Sequence, residues 1–399
     1  MHLLRVLAVM SLGLQVNAAS SVNSLPAKSV VEYPLSAAAE THEIIAASEK
    51  LLLISQQTDG ALVKVALDGK GNPTGSRAWT VTNQWSGLHG LVLHSGSSNS
   101  SNSSGATIWA TEQFDNTILQ IDPNGDDINS PPKIINRFPI PAPAFGPHGI
   151  LQNKGDLWVA CKDSSHVVRI TIDNPDEHQI WPVSRRPIFI AVHPTSGDVY
   201  SGLDLSSKIW RYQNDGGHGE EMDVPADKGS VPVGLVSGPD GNSWVALLGN
   251  STGGTGTFGR INSNATIDWF TLSSQVGSTA GLIHVAFGPD PSQLWLLGSS
   301  TSCASCVNAV FTVKIDDVAG GTASSRIAIQ NSIVLPTQYS WTHRIIAHQG
   351  TLYVTELKTA LLAHISGAVS TGLNTSETWD QYADFGLGLR AQDIHYQGL

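Results

Sequence analysis

The chain repeats itself. Seven times over it presents an apolar strand, a turn, a second strand that usually carries Trp or Tyr, a polar loop, a third strand and a fourth leading into the next unit. The first two strands of the units read THEIIAASEKLLLISQQ, LHGLVLH with ATIWATEQ, PHGILQNKGDLWVACK, PIFIAVHPTSGDVYSGLD, PVGLVSGPDGNSWVALLG, IHVAFGPDPSQLWLLGS and THRIIAHQGTLYVTEL. Third strands follow as ALVKVAL, TILQID, HVVRITI, KIWRY, FGRIN, VFTVKI and LLAHIS. Units of roughly 20 to 50 residues built from short strands belong to solenoids or propellers.

The fourth strands decide between the two. After their own units, RAWTVT, INRFPI, HQIWPV, EMDVPA, IDWFTL and NSIVLP provide only six. The seventh is VEYPL, Val31 to Leu35, far upstream, where it can complete the last unit and close a circle. A closed circle leaves no first-to-last gap with unpaired strand edges. The expected fold is therefore all-β, a seven-bladed β-propeller of four-stranded blades closed by the N-terminal strand. It forms one domain over residues 20–399, with blades starting near residues 42, 89, 148, 188, 233, 284 and 343. Six blades, with one repeat misread, is the nearest competitor; a sandwich or an open solenoid gives the upstream strand nothing to complete.

Composition agrees. The 399 residues suit one large β domain, and 39 Gly and 20 Pro with only 14% charged residues describe short strands and many turns. A formal charge of −11 excludes a nucleic-acid partner, because phosphate binding needs a basic face. The segment MHLLRVLAVMSLGLQVNAAS has the layout of a secretory signal over residues 1–19, and no later run approaches the roughly 18 apolar residues of a membrane helix. The expectation is a secreted, monomeric chain with no membrane partner. Sequons at Asn99, Asn102, Asn250, Asn264 and Asn374 suit that route, and SGSSNSSNSSG, Ser95 to Gly105, reads as a surface loop carrying two of them. Cys303 and Cys306 are expected to form a local disulfide, and Cys161, in an apolar strand, to be a buried free thiol.

Setting the first strands in register brings His42, His89, His148, Ile188, Val233, His284 and His343 to one position, five of them histidine. With 14 histidines in 399 residues, composition alone would put one at a given position about once in thirty. The innermost strand of a propeller lines the channel, and the second strand returns antiparallel to the same face. Glu112, Lys162, Asp204 and Glu356, at second-strand ends, are thus expected near the histidines at one channel mouth.

Two chemistries suit such a set. A neutral imidazole can take and return a proton near neutrality, and several imidazoles with a carboxylate can hold a divalent metal. Taken singly, each histidine could equally be a buried residue bonded to a backbone carbonyl; as a set in a concavity they mark a site. His89, His148, His284, His343 and Lys162 are the candidate catalytic positions. Glu112, Glu356 and His42 are the candidate ligands for a divalent ion, Mg or Ca. Lys162 and Arg344 could neutralise an anionic group of a substrate, although such side chains are mostly solvent-exposed. Trp109, Trp158, Trp244 and Trp295 recur at blade-core positions and read as packing.

The segments GPHGI…DLWVACKDSSHVVRI and HGLVL…IWATEQFDNTILQID resemble the repeats of the virginiamycin B lyase (streptogramin lyase) family, most strongly in the second, third and last units. The resemblance implies a seven-bladed propeller that opens a cyclic depsipeptide by elimination, with histidine as general base and a magnesium ion on the same face. Carried over by position, it implies His89, His148, His284 and His343 as base or ligand and Glu112 and Glu356 as acidic positions. Cys161 and Lys162, Leu247 and Leu248, and Ile188 and Val233 depart from that pattern. The expected function is a secreted lyase that cleaves a C–O bond by β-elimination in an ester-linked metabolite or a uronic-acid-containing glycan. A metal-dependent lactonase or esterase, a tailoring enzyme, and a non-enzymatic binding propeller stand as alternatives, since repeat likeness transmits fold better than substrate.

Overall fold

The computed structural model describes residues 30–36, 40–94, 106–274, 276–288, 292–315 and 331–366, and the backbone of 23–24 and 326–327. The signal-like segment, the Ser95–Gly105 loop and the sequons at Asn99, Asn102 and Asn374 lie outside them. The described residues form seven sheets, each with four antiparallel strands in radial order, and two of them add a short parallel fifth strand at the outer edge: Arg326–Ile327 in blade 5 and Asn23–Ser24 in blade 6. Blade 1 begins with Thr41–Ser48, blade 2 with Leu88–Leu93, blade 3 with Pro147–Asn153 and blade 4 with Pro187–Val192. Blade 5 begins with Pro232–Ser237, blade 6 with Leu282–Phe287 and blade 7 with Thr342–His348. Each of these inner strands packs on the next, and the seventh on the first. Val30–Pro34 pairs antiparallel with Leu361–Ile365 as the outer strand of blade 7, so the circle closes as the sequence predicts. No helix of the described residues is long and apolar enough to cross a membrane.

Second strands carry the large core residues. Trp109, Trp158, Tyr200, Trp244, Trp295 and Tyr353 stand at equivalent positions and are buried between blades. Cys161 is a buried free thiol whose pKa is pushed up by burial, and Cys303 is bridged to Cys306. Asn250 and Asn264 are exposed.

The inner strands share a less regular feature. In every blade the pairing slips by one residue just after the strand begins, so that two inner-strand residues oppose one on the second strand. The pairs are His42–Glu43, His89–Gly90, His148–Gly149, Ile188–Phe189, Val233–Gly234, Ile283–His284 and His343–Arg344. In six blades the residue that enters the strand has positive φ: Glu40 (69°), Gly87 (74°), Gly146 (69°), Arg186 (50°), Val231 (62°) and Trp341 (56°). Gly146 also sits where a Cβ would lie 2.4 Å from the Asp163 carboxylate, which forbids a side chain there.

Hydroxyls hold three of the bulges. Ser55, Thr111 and Thr355 each oppose a bulge, accepting from the N–H of Glu43 (3.1 Å), Gly90 (2.9 Å) and Arg344 (3.1 Å) in their own blades. Each then donates to the next blade, at the carbonyls of His89 (2.6 Å), His148 (2.9 Å) and His42 (2.9 Å). One hydroxyl thereby satisfies a bulge and seats a histidine backbone on the neighbouring blade. Thr111→Val, which keeps the shape and removes the hydroxyl, leaves the Gly90 N–H and the His148 carbonyl unpaired in a buried seam. It should cost about 2 kcal/mol, seen as a lower urea midpoint at unchanged slope.

Candidate functional site

Three tiers of side chains follow one another down the channel from the face where the inner strands begin. Nearest the mouth, one residue past the second strand's first pairing partner, stand Gln57, Gln113, Lys162 and Asp204. The next residue inward is the first of each bulge, and the tier below is the second.

The middle tier holds the histidines. His343, His42, His89 and His148 come from four consecutive blades and touch in series, the first pair edge to face and the others tilted, with ring centres 5.1, 4.3 and 3.9 Å apart. All four are fully buried. Lys162 Nζ lies 3.2 Å from His148 Nε2. Because an ammonium can only donate, that nitrogen accepts and the proton of a neutral His148 sits on Nδ1. The other three blades contribute Ile188, Val233 and Ile283, buried in one apolar cluster. One side of the channel is thus imidazole and the other aliphatic.

His284 does not belong to this arc. The pairing of Leu282 with Gly298 makes Ile283 the counterpart of His148 and puts His284 one residue deeper. It stacks on Phe189 at 5.8 Å, and its Nδ1 lies 3.2 Å from the Ile345 carbonyl and 3.3 Å from the Ile345 N–H. With it in the lowest tier stand Glu43 and Arg344, whose carboxylate and guanidinium approach to 3.5 Å, the guanidinium 4.9 Å from the Phe189 ring centre. Arg344 also donates to the His343 carbonyl at 2.6 Å. Contrary to expectation, Arg344 and Lys162 are both buried.

Glu112 and Glu356 are also one residue away from where the sequence register puts them. Trp109 aligns with Trp158, so Glu112 is the counterpart of Cys161 and Gln113 that of Lys162; Glu356 is likewise followed by Leu357. Strand alternation then turns these carboxylates away from the face on which Thr111 and Thr355 address the histidines. Glu112 bonds Thr117 and pairs with Arg137 of the outer strand at 3.2 Å. Glu356 accepts from Thr359 at 3.1 Å and lies near Glu32 of its blade's outer strand. Burial raises the pKa of both, that of Glu356 to about 7, where the Glu32 charge adds to the effect. Among the described residues no group of three His, Cys, Asp or Glu side chains is placed to hold a metal ion, and the arc with these two carboxylates turned away does not fit one.

The mouth tier gives the arc its polar cover. Gln57 donates to Gln113 at 3.0 Å, Gln113 to Asp163 at 3.1 Å, and Arg186 approaches Asp204 at 3.4 Å. Sequence reasoning missed the two glutamines and the three clamping hydroxyls, although counting outward from the second-strand aromatic finds both sets. On the same face, between blades 4 and 5, a cavity of about 480 Å³ is lined by small residues including Ser207, Gly229, Ser230, Asn250 and Thr255, none of them from the arc.

Burial raises the Asp204 carboxyl to about 6, against the opposing effect of Arg186 and Lys162. The folded state therefore holds a proton that the unfolded chain has already lost between pH 3.8 and about 6. This contribution to stability is complete below that window and disappears as pH rises through it. Asp204→Asn should gain in melting temperature relative to the parent as pH goes from about 4 to about 7; parallel melting curves across that range check it.

No protein-family model and no curated protein matches the chain. Solved structures do. Virginiamycin B lyase from Staphylococcus aureus superposes with a TM-score of 0.63 at 18% identity, covering 84% of this chain and 98% of that one. The likeness is one of fold. A catalytically inactive histidine-to-alanine form of virginiamycin B lyase has also been solved with quinupristin. Kuenenia stuttgartiensis hydrazine synthase gives a TM-score of 0.62 at 14% identity, over 85% of this chain and 98% of that one. YCF48 bound to a D1 peptide gives 0.56 at 12% identity, over 89% and 100%. The same architecture therefore occurs in enzymes and in a peptide-bound propeller.

Proposed function

We propose that the chain is a carbon–oxygen lyase that works by β-elimination with a histidine base. The observation that carries this is the series His42, His89, His148 ending on Lys162 at one channel mouth. His148 has its Nε2 engaged by Lys162, and we assign the base to His89, whose ring centre lies 3.9 Å from that of His148 and so next to the ammonium. In the reaction His89 takes the proton from the carbon beside an ester carbonyl or carboxylate. The electron pair moves toward that carbonyl, and the Lys162 ammonium is the cation nearest to the developing enolate charge. The pair then returns to form the C=C bond as the C–O bond breaks, and the imidazolium gives its proton to the departing oxygen. The imidazoles lie below the Gln57–Gln113 contact, so substrate entry parts that amide pair. No step needs a metal at the arc.

Two further observations support the reading. Virginiamycin B lyase shares the fold, and its form solved with quinupristin was made inactive by losing a histidine. The Cys303–Cys306 bridge, with the signal-like N-terminus, supports an exported chain acting on an extracellular ester or glycan. The complete burial of the arc favours a second reading, in which the face binds a partner without chemistry, as a propeller bound to a peptide illustrates.

One experiment separates them. His89→Gln should lower the appearance of a conjugated alkene, followed by near-ultraviolet absorbance, by about 10²- to 10⁴-fold. His178→Gln, on the exposed outer strand of blade 3, should leave it unchanged. Solvent oxygen incorporated from labelled water would establish hydrolysis instead, and absence of turnover on ester and uronide substrates alike would leave the binding reading.

A further inference from the structure

Buried polar atoms without a hydrogen-bond partner gather at one corner of the channel mouth. In the loop entering blade 4 and the turn after its second strand, Arg186 Nε and Nη2, both carboxylate oxygens of Asp204 and Ser206 Oγ are buried and make none. The Arg186–Asp204 contact, at 3.4 Å, is one of charge without hydrogen-bond geometry, and the Leu205 N–H lies near the carboxylate on the same terms. Elsewhere in the same tier Gln57 bonds Gln113 and Gln113 bonds Asp163. Folded proteins leave few buried polar atoms unmatched, so a cluster of them in one place needs an explanation.

Charge sharpens it. Lys162 and Arg185 join Arg186 in acting on the Asp204 carboxylate. Against these three cations stand two carboxylates, Asp204 and Asp163, and Asp163 is taken by Gln113. The corner is therefore locally positive in a chain whose net charge is −11. Asp204 is 2% exposed and the Arg186 side chain 21%, so a ligand reaches the set by turning the loosely held guanidinium.

The missing partners define that ligand. The guanidinium needs acceptors, the Asp204 carboxylate needs donors, and a single negative charge balances the corner. A neutral amide brings acceptor and donor without charge; a phosphate dianion brings excess charge and no donor. A carboxylate with hydroxyls beside it brings all three, and it matches the fork of an arginine. The cavity of about 480 Å³ begins at Ser207, in the same turn as Asp204, and its polar side chains, among them Ser207, Ser230, Thr252 and Thr255, carry no charge. It has the size of a small-ligand pocket and suits the hydroxyls of an adjoining sugar.

Resting on the lyase reading, we infer that Arg186, Asp204 and Lys162 form a subsite for a uronic acid unit, its carboxylate on Arg186 and Lys162 and a ring hydroxyl on Asp204. The carbon that loses its proton is bonded to that carboxylate. Held by Lys162, 3.2 Å from His148, the carboxylate keeps that carbon beside the imidazole arc. Of the two substrate classes above, the uronic-acid-containing glycan is selected.

The test measures binding on the full chain, apart from turnover, by NMR titration with three probes. Methyl galacturonoside should bind; its methyl ester, which lacks the charge, and acetate, which lacks the hydroxyls, should each bind at least about tenfold more weakly. Arg186→Gln should weaken the uronate about tenfold and leave its ester unchanged, and Arg186→Lys, which keeps the charge without the fork, should fall between. Arg77→Gln, which removes the same charge from the exposed outer strand of blade 1, should bind like the parent. Melting curves identify variants that are folded. A uronate bound no better than its ester, equal affinity in parent and Arg186→Gln, or no saturable binding of any probe, which makes the occupant water only, overturns the subsite. Binding of the uronate by the parent with no alkene from any substrate retires the lyase reading and keeps the subsite; alkene formed from an uncharged ester at a rate that Arg186→Gln leaves unchanged does the reverse.

Discussion

The bulge at the start of every inner strand is the constraint on which the rest depends. A regular strand would send successive side chains to alternate faces of its blade, into the packing between neighbours. One extra residue breaks that alternation and turns a pair of side chains toward the axis. The left-handed residue before it supplies the reversal from the preceding loop, and the opposing hydroxyl of Ser55, Thr111 or Thr355 supplies the missing hydrogen-bond partner. The same hydroxyl bonds forward to the next blade, so closure of the ring and placement of the imidazoles are a single interaction.

That coupling accounts for the polarity of the channel. Hydroxyls oppose the bulges in blades 7, 1 and 2, the blades immediately before His42, His89 and His148. In blades 3 to 6 the opposing residue is Ala160, Gly202, Ala246 or Leu297, and there the following blade presents Ile188, Val233, Ile283 or His343. Where the forward bond is lacking, aliphatic contact fills the seam in three cases of four. Beneath both halves the Arg344–Glu43 pair closes the axis with Phe189 and His284. A buried ion pair of this kind is poor evidence for stability because desolvation offsets its attraction; here it fills the lowest tier with fully buried side chains.

Much of this was legible in the sequence because the repeat exceeds the noise of any one strand. Seven units and the upstream VEYPL segment determined blade number and closure, and five histidines read in one register pointed to the mouth, four of which the ladder keeps at equivalent positions. What failed was registration by a single residue. His284 was aligned by its identity with His148, whereas the ladder aligns Ile283 there, and only the backbone reveals which of two bulge residues a strand presents. Glu112 and Glu356 were matched to Lys162 as the charged ends of their motifs; matching Trp109 to Trp158 instead gives the observed order. In a strand a shift of one is a change of face, so each small misalignment moved a carboxylate from the channel to the blade's flank. The Thr before each Glu, treated as part of the frame, is the residue that addresses the arc.

The remaining question is how the face that holds buried polar groups keeps them from water. Imidazole chemistry in a closed channel benefits from exclusion of water, which strengthens every charge interaction within it. Gln57 and Gln113 provide that exclusion with a hydrogen bond to each other, a contact that a substrate's polar groups can replace. Gln113 and Phe114 are adjacent in one loop, and their N–H groups bond the carbonyls of Gly87 and Ser86, two and three residues before His89. The loop that covers the arc and the turn that sets the His89 strand are thus one hydrogen-bonded unit, so a displacement of the cover is felt at the strand that places the imidazole.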